Sequence, residues 1–114
     1  MRVTGRLLLG DDAVPFAGAV ATVIVEDTTY ADAPAVPLAS WRSNDVTYPR
    51  DRDGVPFDLD VQPDPADNVR CTLRALVDVD RDGSAGPGDY VSVESIRVTR
   101  RSGPVVLRVK RLDR

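Results

Sequence analysis

The sequence predicts an all-β fold: a sandwich of seven to eight antiparallel strands in one domain, of the immunoglobulin or transthyretin type. Apolar residues recur at every second position along most of the chain, which is the spacing of a strand with one buried face. Turn-forming Pro, Gly, Asp and Asn residues separate these stretches at intervals of about 8–15 residues, and no window has sustained helical spacing. At 114 residues the chain is long enough for one compact domain covering 1–114.

The first half of the chain contains four predicted strands. Residues 3–9 alternate apolar and polar side chains, whereas 19–27 are β-branched and almost all apolar, which is typical of a strand buried on one face and partly on the other. A weaker strand at 38–48 follows a connection rich in proline and alanine. A turn at 49–54 then leads to a strand at 55–61, in which every second residue is apolar.

The second half begins, after a turn, with the clearest strand, residues 69–80. Its apolar residues share one face and include Cys71, so we predict that this cysteine is a core residue and not a reactive thiol. Two further strands, 90–99 and 104–112, are separated by the Arg-Arg-Ser-Gly sequence at 100–103. This arrangement predicts a final β-hairpin.

Composition excludes several kinds of chemistry. The chain has no histidine and a single cysteine, so it has no Ser–His or Cys–His nucleophile pair, no zinc site built from cysteine and histidine, and no intrachain disulfide. We therefore predict a protein that is not an enzyme and has no catalytic residues. The net charge of −3 argues against general binding of nucleic acid.

The last part of the chain is basic although the whole is acidic. Residues 97–114 contain six arginines and one lysine against a single aspartate, and the last aromatic residue, Tyr90, precedes them. Nucleic-acid-binding surfaces usually combine basic and aromatic residues. We interpret the basic residues as the solvated faces of the final hairpin.

Targeting signals are absent from the chain as given. No apolar stretch approaches the length of a membrane-spanning helix, and the first residues lack a signal-peptide core and a cysteine that could carry a lipid. The expectation is a cytoplasmic protein without membrane contact, or an envelope protein if a leader has been removed. Exposed strand edges allow a monomer or a weak dimer.

An acidic loop at 78–89 is the one motif with defined metal-ligand spacing. Asp78, Asp80, Asp82 and Asp89 stand at positions one, three, five and twelve, glycine stands at position six, and Ser84 at position seven would offer its carbonyl oxygen. Calcium prefers six to eight such hard oxygen ligands, and a tight loop of alternating aspartates can supply them. The pattern predicts a calcium site, with Ca²⁺ as the only cofactor.

Two features define what kind of calcium site this would be. Position twelve carries the shorter Asp89 in place of glutamate, so we expect weak binding, and the flanking segments are strands, so the site is not a helix-loop-helix hand. The metal would have a structural role. The alternative is an acidic, glycine-rich hairpin loop without an ion. A shorter sequence of similar pattern, Asp51-Arg52-Asp53-Gly54, is interpreted as a plain turn.

Several segments in order resemble one bacterial family. They are Val3-Thr4-Gly5, Val25-Glu26-Asp27-Thr28 leading into Ala31-Asp32-Ala33-Pro34-Ala35, Val55-Pro56-Phe57-Asp58-Leu59, and residues 70–75. The set resembles the YscW/YbaY-type family of small lipoproteins, which are type III secretion lipoprotein chaperones or pilotin-like proteins. The resemblance covers about residues 2–78 and so leaves out most of the acidic loop. It implies a non-catalytic β-sandwich that assists assembly of a secretion ring, here without the lipoprotein leader.

Three functions follow from these observations. The first is an accessory or binding β-sandwich protein, chaperone-like by resemblance, with an unidentified protein partner and a structural calcium loop. The second is a metal-free interaction module that pairs through a strand edge. The third is a hydrolase using Asp58 and Asp60, against which their alternation with apolar residues predicts a solvated strand face.

Overall fold

The computed structural model describes residues 1–113, which form eight β-strands and no helix. The strands are β1 (Arg2–Leu9), β2 (Phe16–Asp27), β3 (Val36–Tyr48), β4 (Val55–Asp60), β5 (Cys71–Asp78), β6 (Tyr90–Ser92), β7 (Ile96–Val98) and β8 (Val105–Arg111). The predicted all-β class is confirmed. Within the described residues, no helix is long and apolar enough to cross a membrane.

All eight strands belong to one hydrogen-bonded sheet. Its order is β3-β2-β5-β6-β8-β1-β4, with β7 pairing to β5 beside β6. The prediction of a wholly antiparallel arrangement is wrong at one pair, because β1 and β8 run parallel with Gly5 opposite Val105. A parallel pair needs a long connection, and here nearly the whole chain lies between the two strands.

The sheet nearly closes on itself. Its two end strands approach each other, and the rings of Trp41 on β3 and Phe57 on β4 lie 6.2 Å apart between centroids. The inner face thereby encloses one continuous core. The structure thus shows a single compact domain whose strands are not divided into separate sheets.

Alternation along the strands builds this core. On β4, Val55, Phe57 and Leu59 are buried while the three residues that alternate with them are exposed. On β5 the inward residues include Cys71, which is 2% exposed, so its prediction as a core residue is confirmed. Burial raises the pKa of the Cys71 thiol, with a further contribution from Asp27. The thiol is therefore neutral and behaves as a small apolar group.

The final hairpin differs from the prediction. The predicted strand at 90–99 is interrupted, since β6 ends at Ser92 and β7 begins at Ile96. Of these two strands only β6 pairs with β8, whereas β7 pairs with β5 alone, through Val98 opposite Cys71. The turn before β8 is present, with the Ser102 amide donating to the Thr99 carbonyl at 3.1 Å. The turn at 49–54 is confirmed, because the Gly54 amide donates to the Asp51 carbonyl at 2.9 Å.

Candidate metal centre

The acidic loop connects β5 to β6. Asp78 is the last residue of β5, and Asp89 directly precedes Tyr90, the first residue of β6. The two strands are antiparallel with Val77 opposite Tyr90, so the sheet itself brings the two ends of the loop together. Long-range pairing, and not only loop spacing, therefore positions the first and the last carboxylate.

The four aspartates of the predicted site lie close together. Each of Asp78, Asp80, Asp82 and Asp89 offers one carboxylate oxygen, and these oxygens all lie within 4.8 Å of one another. Ser84 is exposed, and its amide donates to Asp82 Oδ1 at 3.0 Å. The geometry thus gathers the four predicted carboxylate ligands, and the carbonyl of the exposed Ser84 stays a predicted ligand.

Asp89 closes the loop from the inside. Its side chain is fully buried, and its two carboxylate oxygens accept hydrogen bonds from two backbone amides, Val79 at 2.8 Å and Gly86 at 2.9 Å. The Leu112 amide donates to the Asp89 carbonyl at 2.8 Å, which ties the same residue to the end of β8. Each oxygen retains a second lone pair, so these hydrogen bonds leave room for a metal.

Asp78 is buried with one oxygen unpartnered. Its side chain is 4% exposed; Oδ2 accepts a hydrogen bond from the Gly83 amide at 2.8 Å, while Oδ1 has no hydrogen-bond partner among the described residues. Gly83 has φ of +87°, a conformation that a side chain would strain. The glycine at position six therefore turns the chain so that its amide reaches the first carboxylate.

The pKa values of Asp78 and Asp80 are shifted in opposite directions by their surroundings. Burial acts to raise the pKa of Asp78, but hydrogen bonds from the Gly83 amide and its neighbours outweigh burial and lower it. The adjacent Asp78 carboxylate, with partial burial, raises the pKa of Asp80 to about 6. The protonated Asp80 carboxyl can hydrogen-bond to Asp78, which favours the neutral form of Asp80 and the charged form of Asp78. Among the described residues, no lysine or arginine forms an ion pair with any of the four aspartates.

Arg81 lies within the acidic loop but points away from its carboxylates. Its backbone has φ of +60°, and its Nη1 donates to the Gly18 carbonyl at 2.6 Å and to the Asn44 carbonyl at 3.2 Å. The side chain thereby fastens the loop to β2 and β3. Local sequence could not indicate this contact, because an arginine between two aspartates is expected to be an ordinary surface residue.

The donor set is suited to a hard cation. All four side chains offer oxygen, the chain has no histidine, and its one cysteine lies at the opposite end of β5. Oxygen-only sites are typical of Ca²⁺ and Mg²⁺, and a flexible loop with several carboxylates favours the larger Ca²⁺. The other candidate pair, Asp58 and Asp60, is exposed on β4, and Asp58 is ion-paired with Arg2. Their prediction as a solvated face is confirmed.

Fold and loop together define a small all-β domain with an acidic hairpin. No family model matches the chain, and no curated protein matches it significantly. Among solved structures it is similar to an alternative pilotin from the type II secretion system of Vibrio cholerae. The TM-score is 0.72 at 22% sequence identity, with 96% of this chain and 94% of that chain covered. The likeness shows a shared pilotin fold. The YscW/YbaY-type assignment stays a prediction.

Proposed function

We propose that this protein is a non-catalytic accessory protein of a bacterial secretion assembly, which binds a partner protein of that assembly in the manner of a pilotin. The observation that carries the proposal is the shared fold, because it extends over nearly all of both chains. A likeness of this extent leaves little of the chain for an added catalytic unit. Fold alone does not dictate function, so the proposal needs its own test.

The sequence resemblance supports this function independently. The segments that resemble the YscW/YbaY-type family lie in β1, β2, β4 and β5 and in the connection that follows β2. An envelope location and a pilotin-like role are parts of the same proposal.

Depletion of the protein from its native cell tests the role. We expect the multimeric secretion complex to disappear from native gels of envelope fractions while its ring-forming subunit accumulates in unassembled form. Restoring the protein should restore the multimer. An unchanged multimer in depleted cells contradicts the proposed function.

We further propose that the acidic loop binds Ca²⁺ as a structural ion. The unpartnered, buried Asp78 Oδ1 supports this, since a buried charged oxygen without a partner is costly. An ion among the four carboxylates would give that oxygen a partner and neutralise the like charges gathered there. The ion would then hold the ends of β5 and β6 together.

Calcium should raise the melting temperature of the protein. With Ca²⁺ at ten times its dissociation constant, linkage gives about 1.4 kcal/mol, or roughly 4–6 °C for a domain of this size. Isothermal titration calorimetry and a thermal melt, each repeated with EDTA, measure the effect. The double variant D80N/D82N should lose the calcium-dependent rise, whereas D58N/D60N, which makes the same change on exposed β4 residues, should keep it.

The metal-free alternative predicts a different pattern. Without an ion, D80N/D82N relieves repulsion, so its stability in EDTA and in Ca²⁺ should equal or exceed that of the wild type. Weak calcium sites have dissociation constants of roughly 1 mM, so 10 mM Ca²⁺ is a sufficient concentration for the test. If the wild type then shows no calcium-dependent heat and no melting shift, the proposal that the loop binds a metal is wrong. The accessory function would stand unaffected.

A further inference from the structure

A basic pocket opens at the end of the sheet opposite the acidic loop. It encloses about 390 Å³ between the 65–71 segment and the 97–101 segment, which contains the end of β7 and the following turn. β5 connects the two ends of the molecule, with Cys71 at this pocket and Asp78 at the acidic loop. The pocket is thus separate from the candidate metal centre.

Three arginines surround this pocket. Arg97, Arg100 and Arg101 line it together with one acidic residue, Asp67, which pairs with Arg100 at 2.9 Å. Within the described residues, the guanidinium groups of Arg97 and Arg101 make no hydrogen bond or ion pair, and both residues are exposed. Two positive charges therefore remain available for an anionic ligand.

The floor of the pocket is apolar. Cys71 and Val98 are each 2% exposed, and Val69 is half-buried beside them. No aromatic residue lines the pocket, so it offers no surface on which a nucleic-acid base could stack. An aliphatic side chain fits this floor better than a bare inorganic anion does, because the anion would leave the apolar surface uncovered.

An apolar cleft adjoins the basic pocket along the 65–69 segment. The cleft encloses about 300 Å³, shares Pro65, Ala66 and Val69 with the basic pocket, and includes Leu38 and Val61. Its acidic lining residues are Asp27 and Asp64, so the positive charge is confined to the basic pocket. Together, the basic pocket and the apolar cleft form a surface that is longer than a single small ligand requires.

An open strand edge lies beside the basic pocket. β7 pairs with β5 along one edge, and among the described residues no strand pairs with its other edge. Such an edge can accept an extended peptide through backbone hydrogen bonds. Charge, apolar floor and strand edge are therefore all compatible with a peptide.

We infer that the basic pocket binds an acidic, extended peptide segment of a partner protein. Carboxylates of the segment would pair with Arg97 and Arg101, and an aliphatic side chain between them would contact Val98 and Val69. The inference rests on the proposed accessory function and specifies where its partner would bind. It adds a binding role to Arg97, Arg100 and Arg101, which are solvent-exposed as the sequence predicts.

Fluorescence anisotropy with labelled octapeptides tests this inference. The probe alternates glutamate and valine, and the matched peptide alternates lysine and valine. We expect the acidic peptide to bind the full-length protein and the double variant R97E/R101E to bind it about tenfold more weakly or worse. R108E/K110E, the same charge change on exposed residues of β8, should bind like the wild type.

Four results would overturn the inference. The first two are no binding of the acidic peptide up to 1 mM and equal loss in both double variants. The other two are equal binding of the basic peptide, and displacement of the acidic peptide by inorganic phosphate as readily as by unlabelled peptide. Circular dichroism confirms that each variant is folded. If depletion abolishes the secretion multimer while R97E/R101E restores it fully, the accessory function stands and the binding surface lies elsewhere.

Discussion

At the scale of single residues, Gly5 shows how closely the sheet is packed. A Cβ atom at this position would lie 2.2 Å from the Val105 carbonyl oxygen and 2.8 Å from the Phe57 ring. Gly5 stands opposite both of these residues, since β1 pairs with β8 on one side and β4 on the other. A glycine here allows two neighbouring strands to contact β1 at the same point.

Substitution of Gly5 by alanine should destabilise the fold. The added methyl group must displace backbone, so we expect G5A to lower the free energy of unfolding by about 1–3 kcal/mol. The matched change G103A should be neutral within about 0.5 kcal/mol, because a Cβ at Gly103 would meet nothing within 4 Å. Urea unfolding of both variants measures the difference. Equal midpoints for G5A and the wild type would contradict the packing described here.

The residues of the candidate metal centre were predictable by identity but not by environment. Their spacing in sequence indicated Asp78, Asp80, Asp82 and Asp89, and the structure brings these four together. The spacing could not indicate that Asp78 and Asp89 are buried. Aspartate is ordinarily exposed, and its burial here depends on partners far away in sequence. The Leu112 amide that holds the backbone of Asp89 is one such partner.

At the scale of elements, alternation predicted the strands that have one clearly apolar face. β4 and β5 appear where that alternation places them. The segment 90–99 also alternates, yet it divides into β6 and β7, with an exposed Val93 between them. β6 bridges β5 and β8 while β7 pairs with β5 alone, and this competition between partners is invisible to local periodicity.

An irregularity in β2 has a consequence for the acidic loop. The register between β2 and β3 shifts on both sides of Ala19, and Gly18 has φ of +68°. Such a bulge removes backbone groups from the regular ladder. The freed Gly18 carbonyl accepts the hydrogen bond from Arg81. The irregular part of β2 thereby holds the acidic loop that follows β5.

At the scale of the whole molecule, opposite charges occupy opposite ends of the sheet. Eight residues of β5 span about 26 Å between the basic pocket and the acidic loop. This distance exceeds the Debye length of about 8 Å at physiological ionic strength. Interactions at one end should therefore have little effect on the other.

The two ends should bind their ligands independently. We expect 10 mM Ca²⁺ to change the dissociation constant of the acidic peptide by less than about twofold, and R97E/R101E to leave the calcium-dependent rise in melting temperature unchanged, since distant sites are usually additive. Anisotropy titrations with Ca²⁺ and with EDTA provide the first comparison, and thermal melts the second. A fivefold change in either direction would show that the sheet couples its ends.

The order of strands in the sheet lay beyond what the sequence could predict. Short connections favour pairing of neighbours along the chain, as for β2 with β3. Nothing local indicates that β1 pairs with β8, because two apolar strands match many partners equally well. The gathering of Arg97, Arg100 and Arg101 around one pocket follows from the same non-local pairing.

The parallel contact of β1 with β8 also bears on how the domain folds. Gly5 of β1 pairs with Val105 of β8, so this contact closes a longer loop than any other strand pair of the sheet. Contacts of such long sequence separation form slowly, because the entropy of closing the loop is lost before the contact is gained. Until β8 docks, β1 has one unpaired edge, and unpaired edges promote aggregation. Folding intermediates that lack a docked β8 are therefore the species in which this edge is exposed.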